Sequence, residues 1–202
     1  MNTRHKMATL SLFSTLVILF AFTRDALSYK IHFTWDTNKQ TYAFDPSIPS
    51  SFKYALRSGG VNVWTQVPTS SWKWGYKSSS VNKIVYQELD NLGGHPAHTI
   101  ITFNLATGEP IRFTMTYDHD ENWYTGRDTP SSNQTDLRSV AAHEFGHGLG
   151  LDHPTPPISC PYPDSPTPTM STMCEGYRRG TTYKRTLETD DINGVTTLYP
   201  MP

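Results

Sequence analysis

Three histidines and one glutamate fall within eleven residues of this chain, at His143, Glu144, His147 and His153. Because the first two histidines are four residues apart, a helix places both imidazoles on one face, where they can bind a single metal ion. Gly150 can leave the helical conformation at little cost, so the chain can turn there and bring His153 back as a third ligand. Three protein ligands leave the fourth position of a tetrahedral zinc ion open, which is typical of a catalytic rather than a structural site.

Glu144 follows the first histidine directly and cannot point in the same direction as that ligand. It can instead reach a water molecule on the metal and act as a general base. Zinc lowers the pKa of such a water to about 7 and polarises a carbonyl group. The run therefore predicts one catalytic zinc ion, with His143, His147 and His153 as ligands and Glu144 as the base.

The composition limits the kinds of partner. The 202 residues are enough for one domain with a substantial hydrophobic core. The net charge is −1, which favours neither nucleic acid nor a membrane surface as a partner. Charged residues make up 17% and aromatic residues 12% of the chain, which is typical of a compact, strand-rich extracellular domain and not of a disordered one.

The first 28 residues have the pattern of a secretory signal peptide. A basic start at Arg4 and Lys6 precedes the apolar stretch Met7–Phe22, and Ala26 and Ser28 supply small residues before the predicted cleavage site. A membrane anchor is the alternative, but the apolar stretch is short for a span of about 20 residues. We therefore expect residues 1–28 to be removed and residues 29–202 to be secreted as one domain, without contact to a membrane.

The two cysteines, Cys160 and Cys174, are expected to pair, because an even number of cysteines in a secreted chain favours a disulfide. The bridge closes a loop of about 15 residues, which corresponds to a stabilisation of roughly 3 kcal/mol. Two unrelated thiols are the alternative.

The elements that must position the zinc motif are predicted from hydrophobic periodicity. Strands are predicted at 31–35, 83–88, 99–103 and 111–115, and helices at 50–65, 136–149 and 190–198. Proline and serine residues predict an irregular loop over 154–168. This order indicates an α+β domain with a mixed sheet. The zinc helix is expected to pack on the sheet, and the cleft to lie between the sheet edge and the C-terminal loops.

The run from His143 to His153 reads H-E-x-x-H-x-x-G-x-x-H and resembles the zinc motif of the matrixins, the matrix metalloproteinase branch of the metzincin proteases. Three less specific segments add to the resemblance: Ile31–Thr65 is similar to the opening strand and helix of the family, Tyr117–Trp123 to its acidic segment, and Asp190–Tyr199 to its last helix. The resemblance implies a zincin-like fold with a twisted mixed sheet, an active-site zinc helix and a C-terminal helix.

The resemblance also implies a methionine turn beneath the zinc. Met170 and Met173 both follow a threonine, and we prefer Met173 because Tyr177 follows it at the spacing of the family. The link from His153 to the two methionines is longer than in the family, and Cys160 lies within it.

Two further metal positions follow from the resemblance. Asp118 and Glu121 match calcium ligands of the family, and three acids within four residues could supply the oxygen donors that a hard cation needs. A solvated acidic turn is the alternative. Thr116 stands where the family has a histidine ligand for a second, structural zinc ion, so we expect only the catalytic zinc. No cysteine precedes the zinc motif, so the resemblance predicts no cysteine-type latency segment.

These features predict a secreted, monomeric zinc metalloendopeptidase that hydrolyses peptide bonds of extracellular proteins, with the substrate extended along the sheet edge. The alternative is a non-catalytic secreted binding module with a structural metal site, which would have no use for Glu144. The motif alone also leaves open a zinc hydrolase that acts on a non-peptide bond.

Overall fold

The computed structural model of the protein describes residues 29–90, 92–154, 160 and 170–202. The predicted signal peptide at 1–28 and most of the predicted irregular loop at 154–168 lie outside these residues. In the described ranges, no helix is long and apolar enough to cross a membrane.

The described residues form nine strands and four α-helices. The strands are β1 (Lys30–Ile31), β2 (Lys39–Phe44), β3 (Lys73–Tyr76), β4 (Lys83–Gln87), β5 (Ala97–Phe103), β6 (Pro110–Asp118), β7 (Trp123–Tyr124), β8 (Thr135–Asp136) and β9 (Leu151–Asp152). The α-helices are α1 (Ser50–Leu56), α2 (Asn62–Thr65), α3 (Leu137–Leu149) and α4 (Thr189–Leu198).

A five-stranded sheet in the order β3-β2-β4-β6-β5 forms the body of the fold. β2 runs parallel to β3 and β4, and β4 runs parallel to β6, whereas β5 runs antiparallel to β6. The predicted mixed sheet is therefore confirmed, and the strands predicted at 83–88, 99–103 and 111–115 correspond to β4, β5 and β6. β5 lies at an edge of this sheet, so one side of its backbone is not paired with another strand of the sheet.

The strand predicted at 31–35 is wrong beyond its first residue. Only β1 pairs as a strand, with β9. The next two amides, of His32 and Phe33, donate instead to the carbonyl of Gly150 at the end of α3. The alternation that predicted a strand arises because Phe33 and Trp35 are both buried and their rings meet edge to face at 5.5 Å.

β2 and β3 carry no periodic signal. Tyr42 and Ala43 are adjacent in β2 and both buried, so the strand does not alternate between polar and apolar residues. β3 contains Gly75, which lowers the strand propensity of a four-residue segment. These two strands could be found only from the pairing partners that the folded chain supplies.

The helix predicted at 50–65 forms as one helical run, in which a π-helical turn at Arg57–Val61 joins α1 to α2. Gly59 and Gly60 lie in this turn, where a side chain would overlap the neighbouring helix α3. A Cβ atom at Gly60 would meet the ring of Phe145. The two glycines thus allow close helix packing, although they weaken the helical pattern in the sequence.

The core lies between α3 and the sheet and is rich in aromatic residues. Phe145 of α3 is fully buried and packs edge to face against Tyr42 and Trp74, with ring centroids 5.6 and 5.1 Å apart. Two buried indoles hold the backbone of α3: Trp64 Nε1 donates to Ala142 O at 2.8 Å, and Trp35 Nε1 donates to Gly148 O at 2.9 Å. The helix is therefore fixed in rotation, with its histidines on the face away from the core.

Candidate metal centre and active site

α3 begins and ends where the sequence predicts the helix boundaries, at Asp136 and Gly150. Asp136 caps its N-terminus, because one carboxylate oxygen accepts from Ser139 N at 3.0 Å. Gly150 ends it with φ 122°, a conformation that favours glycine, and a Cβ atom there would overlap Phe33 O. The turn at Gly150 leads into β9 and brings His153 back to the histidine face of α3.

The three predicted zinc ligands converge in the structure. The Nε2 atoms of His143, His147 and His153 lie 3.1, 3.2 and 3.0 Å from one another. Nitrogen ligands at the usual zinc distance of about 2.0–2.1 Å lie about 3.3 Å apart in a tetrahedron, so the spacing fits zinc.

In two of the three imidazoles, the hydrogen bond made by Nδ1 shows that Nε2 is free to bind a metal ion. His143 Nδ1 lies 2.8 Å from Thr172 O, and His147 Nδ1 lies 2.9 Å from Leu151 O. Because a carbonyl oxygen can only accept, both Nδ1 atoms carry the proton and donate it. Nε2 of each ring therefore keeps a free lone pair. Burial lowers the pKa of His143 well below its ordinary value and that of His147 to about 4. Both imidazoles are therefore neutral at pH 7, the form that binds a metal ion.

Glu144 lies beside the histidine cluster and is only 4% exposed. Burial raises the pKa of its carboxyl group to about 7, while a hydrogen bond from Thr99 lowers it. Thr99 Oγ1 donates to Oε2 at 2.7 Å, and Oε1 accepts no hydrogen bond from the described residues. A buried carboxylate with a pKa near neutrality and one free oxygen suits a general base.

A cleft of about 810 Å³ passes over these residues. The edge strand β5 forms one wall, with Ala97 and Thr99, while α3 and the three histidines form its floor. Glu175 and Tyr177 line the opposite wall. The expectation that the cleft lies between the sheet edge and the C-terminal loops therefore holds.

A smaller cavity adjoins the cleft. It shares six residues with the cleft: Ser139, Val140, Glu175, Gly176, Tyr177 and Lys184. The segment between Cys174 and Thr186 supplies four of these six residues. Lys184 is 7% exposed, its ammonium group donates to the carbonyls of Cys174 and Gly176, and burial lowers its pKa to about 8.

The two candidate methionines occupy different places. Met173 is 2% exposed, and its sulfur lies where a Cβ atom on Gly146 of α3 would be. Met170 lines the smaller cavity instead. Asp191 accepts from the amides of Thr172 and Met173 at 2.8 and 3.0 Å, which fixes the carbonyl of Thr172 against His143. Met173 is thus the methionine that lies beneath the zinc helix.

The predicted disulfide between Cys160 and Cys174 is present, with a Cα–Cα distance of 5.3 Å. It joins the long link after His153 to the residue that follows Met173. The cleft wall at Glu175 is therefore covalently tied to that link.

The predicted calcium ligands are both buried, but their contacts do not match one shared cation. Both oxygens of Glu121 accept from Arg179 Nη2, at 3.2 and 3.0 Å, and they also accept from Gly93 N and Thr135 Oγ1. Asp118 accepts from the amides of Leu89 and Asp120 through Oδ1. A calcium ion bound at Glu121 would have to displace the guanidinium of Arg179. Asp118 instead forms, with His119 and Asp120, a group that could hold a metal ion. The pairing of Asp118 with Glu121 as calcium ligands stays a prediction.

Thr116 of β6, the position where a second zinc ligand was expected to be missing, pairs with His98 of β5. His95 pairs instead with Asp90, through Nδ1 at 2.9 Å. Among the described residues, neither His95 nor His98 belongs to a group that could hold a metal ion.

Sequence reasoning missed three residues that support the site: Thr99, Lys184 and Asp191. Thr99 and Lys184 carry no motif, and only the fold brings them to α3. Asp191 belongs to the segment that resembles the last helix of the family, but its role as acceptor for the turn at Thr172 depends on a contact across the fold.

Comparison with known proteins gives the class to which this fold and site belong. The sequence profile of the matrixin family matches residues 21–200. The chain therefore belongs to the matrixin family of zinc metalloendopeptidases, and the predicted family is confirmed.

Several metalloproteinases are similar to this chain in sequence. The chain is 30% identical over 173 residues to Metalloendoproteinase 2-MMP of Arabidopsis thaliana, and the alignment covers 82% of this chain and 42% of that protein. It is 29% identical over 178 residues to Metalloendoproteinase 1 of Glycine max, covering 81% and 51%. It is 27% identical over 172 residues to human Matrix metalloproteinase-20, covering 82% and 32%. The chain thus spans about half or less of the length of these relatives.

Proposed function

We propose that this chain is a zinc-dependent endopeptidase that hydrolyses peptide bonds of extracellular proteins. The observation that carries the proposal is the convergence of three histidine Nε2 atoms beside a buried carboxylate with one free oxygen. Both lie in a cleft beside an unpaired strand edge.

His143, His147 and His153 would hold the zinc ion. When bound, zinc activates a water molecule and polarises the carbonyl group of the substrate. Glu144 takes the proton of that water at Oε1 and delivers it to the leaving nitrogen of the cleaved peptide bond. Its pKa of about 7 lets it both accept and return a proton near neutral pH.

The substrate lies extended along β5. An edge strand offers backbone donors and acceptors in a row, and an extended peptide can pair with them as a further strand. One substrate side chain enters the smaller cavity, whose lining from Val140 and Tyr177 is largely apolar. This arrangement favours peptide bonds over other substrates of a zinc hydrolase.

The alternative of a binding module with a structural metal site predicts a fourth protein ligand. In the part of the chain that the structure describes, the group at this site consists of His143, His147 and His153 alone. A zinc ion there would keep an open position, which supports the enzyme.

We also infer that residues 1–28 act as a signal peptide, that the remaining domain is secreted as a monomer, and that it acts away from membranes. The basic and apolar pattern of the first 28 residues supports this inference. Met173 serves as the turn beneath the zinc, which its position under Gly146 supports. Calcium at Asp118 and Glu121 is not part of the proposal.

The test is a substitution of the base. We expect Glu144→Gln to bind zinc as the parent does and to lose at least about 100-fold in kcat, because the amide cannot accept the proton. Zinc content is measured by mass spectrometry of the metal, and cleavage with a peptide library. Glu88→Gln, at an exposed residue outside the cleft, is the matched control. Cleavage by Glu144→Gln at the parent rate would refute the role of Glu144, and a parent that cleaves no peptide would refute the function.

A further inference from the structure

The carboxylate of Glu144 is held by a residue outside the zinc motif. Thr99 lies within the edge strand β5, and its hydroxyl is 2.7 Å from Glu144 Oε2 and 3.3 Å from Glu144 O. A hydroxyl has one proton to donate, and the shorter contact to a charged acceptor is the stronger. Thr99 therefore donates to Oε2 of the carboxylate, and Oε1 of Glu144 accepts no hydrogen bond from the described residues.

The position of Thr99 is more rigid than that of the side chain it holds. A glutamate has three side-chain torsions, and the last is broad. Threonine is branched at Cβ, which restricts its χ1. Thr99 lies on β5, which pairs with β6 from Ala97 to Phe103. A stiff donor on a paired strand can therefore fix the orientation of a flexible acceptor on the facing helix.

We propose that Thr99 is a positioning residue for Glu144: its hydroxyl anchors Oε2 so that Oε1 points into the cleft toward the reacting water. This inference rests on the proposed function, because it assigns Thr99 a part in the step that Glu144 performs. Only one carboxylate oxygen of Glu144 has a protein partner, so the orientation of this side chain depends on Thr99.

A purely structural link between β5 and α3 is the competing explanation. Such a link would lower stability, zinc content and catalysis together when it is broken. A positioning role lowers kcat while KM and zinc content stay as in the parent, and a serine at the same place restores it, because serine keeps the hydroxyl.

The experiment compares three substitutions. We expect Thr99→Val, which keeps the shape and removes the donor, to lose about tenfold in kcat with KM unchanged. The kcat of Thr99→Ser should stay within about threefold of the parent value, because serine keeps the hydroxyl that donates to Glu144. Thr107→Val is the matched control in the exposed turn after β5, outside the cleft, where the threonine hydroxyl donates to Glu109 Oε2 instead. Thr99→Ala replaces the valine variant if that variant does not fold.

A second measurement does not depend on activity. In crystals of the metal-free protein, we expect one rotamer of Glu144 in the parent and in Thr99→Ser, and a moved or divided side chain in Thr99→Val. If the parent cleaves no peptide, the proposed function fails, and these crystals still decide whether Thr99 orients Glu144. An unmoved Glu144 in Thr99→Val, an unchanged kcat, or an equal loss in the serine variant would each overturn the proposal.

Discussion

At the scale of single residues, hydrogen bonds fix which imidazole nitrogen carries the proton and how the carboxylate of Glu144 is oriented. Donation from Nδ1 to backbone carbonyls fixes the tautomer of His143 and His147, and burial keeps both rings neutral. Glu144 is fixed through one oxygen. Backbone carbonyls thus orient His143 and His147, and a strand residue orients Glu144.

Asp191 is the buried residue on which the floor of the site depends. It is fully buried and accepts from Thr172 N, Met173 N and Ser171 Oγ, and from Glu188 N at the start of α4. The contacts with Thr172 and Met173 hold the carbonyl that His143 uses. A substitution of Asp191 would therefore disturb the metal site through two hydrogen bonds. Thr172 N donates to Asp191, and His143 Nδ1 donates to Thr172 O.

We expect Asp191→Asn to lower the free energy of unfolding by roughly 2–4 kcal/mol, because the amide nitrogen cannot accept and would face buried backbone amides. Zinc affinity should fall as well. Chemical unfolding and zinc titration measure the two effects. Asp36→Asn, at an exposed aspartate, should change neither. If Asp191→Asn is as stable as this control, Asp191 does not support the turn.

At the scale of elements, two positively charged side chains, Lys184 and Arg179, hold the cleft wall after Met173 in place. Lys184 bonds to the carbonyls of Cys174 and Gly176, and Arg179 pairs with the buried Glu121. The amide of Gly180 also donates to Gln134 O at 2.9 Å. This wall is thereby connected to the segment just before β8 and to the segment after β6.

The ion pair of Arg179 gives a test of the calcium prediction. We expect Arg179→Met to lower the free energy of unfolding by about 3 kcal/mol, because the carboxylate of Glu121 stays buried without its partner. Millimolar calcium should leave the melting temperature of the zinc-loaded parent unchanged. Thermal unfolding with and without calcium measures both effects, and Arg178→Met is the control at the exposed neighbour.

The opposite result would restore calcium to this site. A melting temperature of the parent that rises with calcium and saturates, and that no longer responds after Glu121→Gln, would show that the ion binds at Glu121. The ion pair with Arg179 would then describe only the calcium-free protein.

The elements differ in how far the sequence could predict them. α3 was predictable because its signals are local: Asp136 as cap, the histidine spacing, and Gly150 at the end. β2 and β3 were not, since buried neighbours and a glycine erase the alternation of a strand. The same division applies to the site. The zinc ligands and Glu144 follow from spacing along one helix, whereas Thr99 and Lys184 reach Glu144 and the cleft from distant segments.

At the scale of the whole molecule, the zinc site joins both halves of the chain. The ligands lie on α3 and just after β9, α3 packs on the sheet, and the turn behind His143 is fixed by α4. The Nε2 lone pairs of His143 and His147 point at one another and repel in the absence of a cation. The metal should therefore contribute to the stability of the entire domain.

We expect removal of zinc by a chelator to lower the melting temperature, and zinc at about 100 times its Kd to restore about 2.7 kcal/mol of stability. Differential scanning calorimetry measures the shift. His147→Ala should abolish the response to zinc, whereas His98→Ala, at a histidine of the cleft outside the cluster, should retain it. A parent with equal melting temperatures in both states would contradict a metal site in this cluster.

The pairing of β1 with β9 has a consequence for the order of events during synthesis. β1 is the first strand described, yet it pairs with the strand that leads from Gly150 to His153, and Lys30 forms an ion pair with Asp152 at 2.6 Å. This contact cannot form until nearly the whole zinc motif has left the ribosome, and contacts so distant along the chain form slowly. The third histidine is therefore expected to reach its place late, after α3 has already presented the first two to the metal.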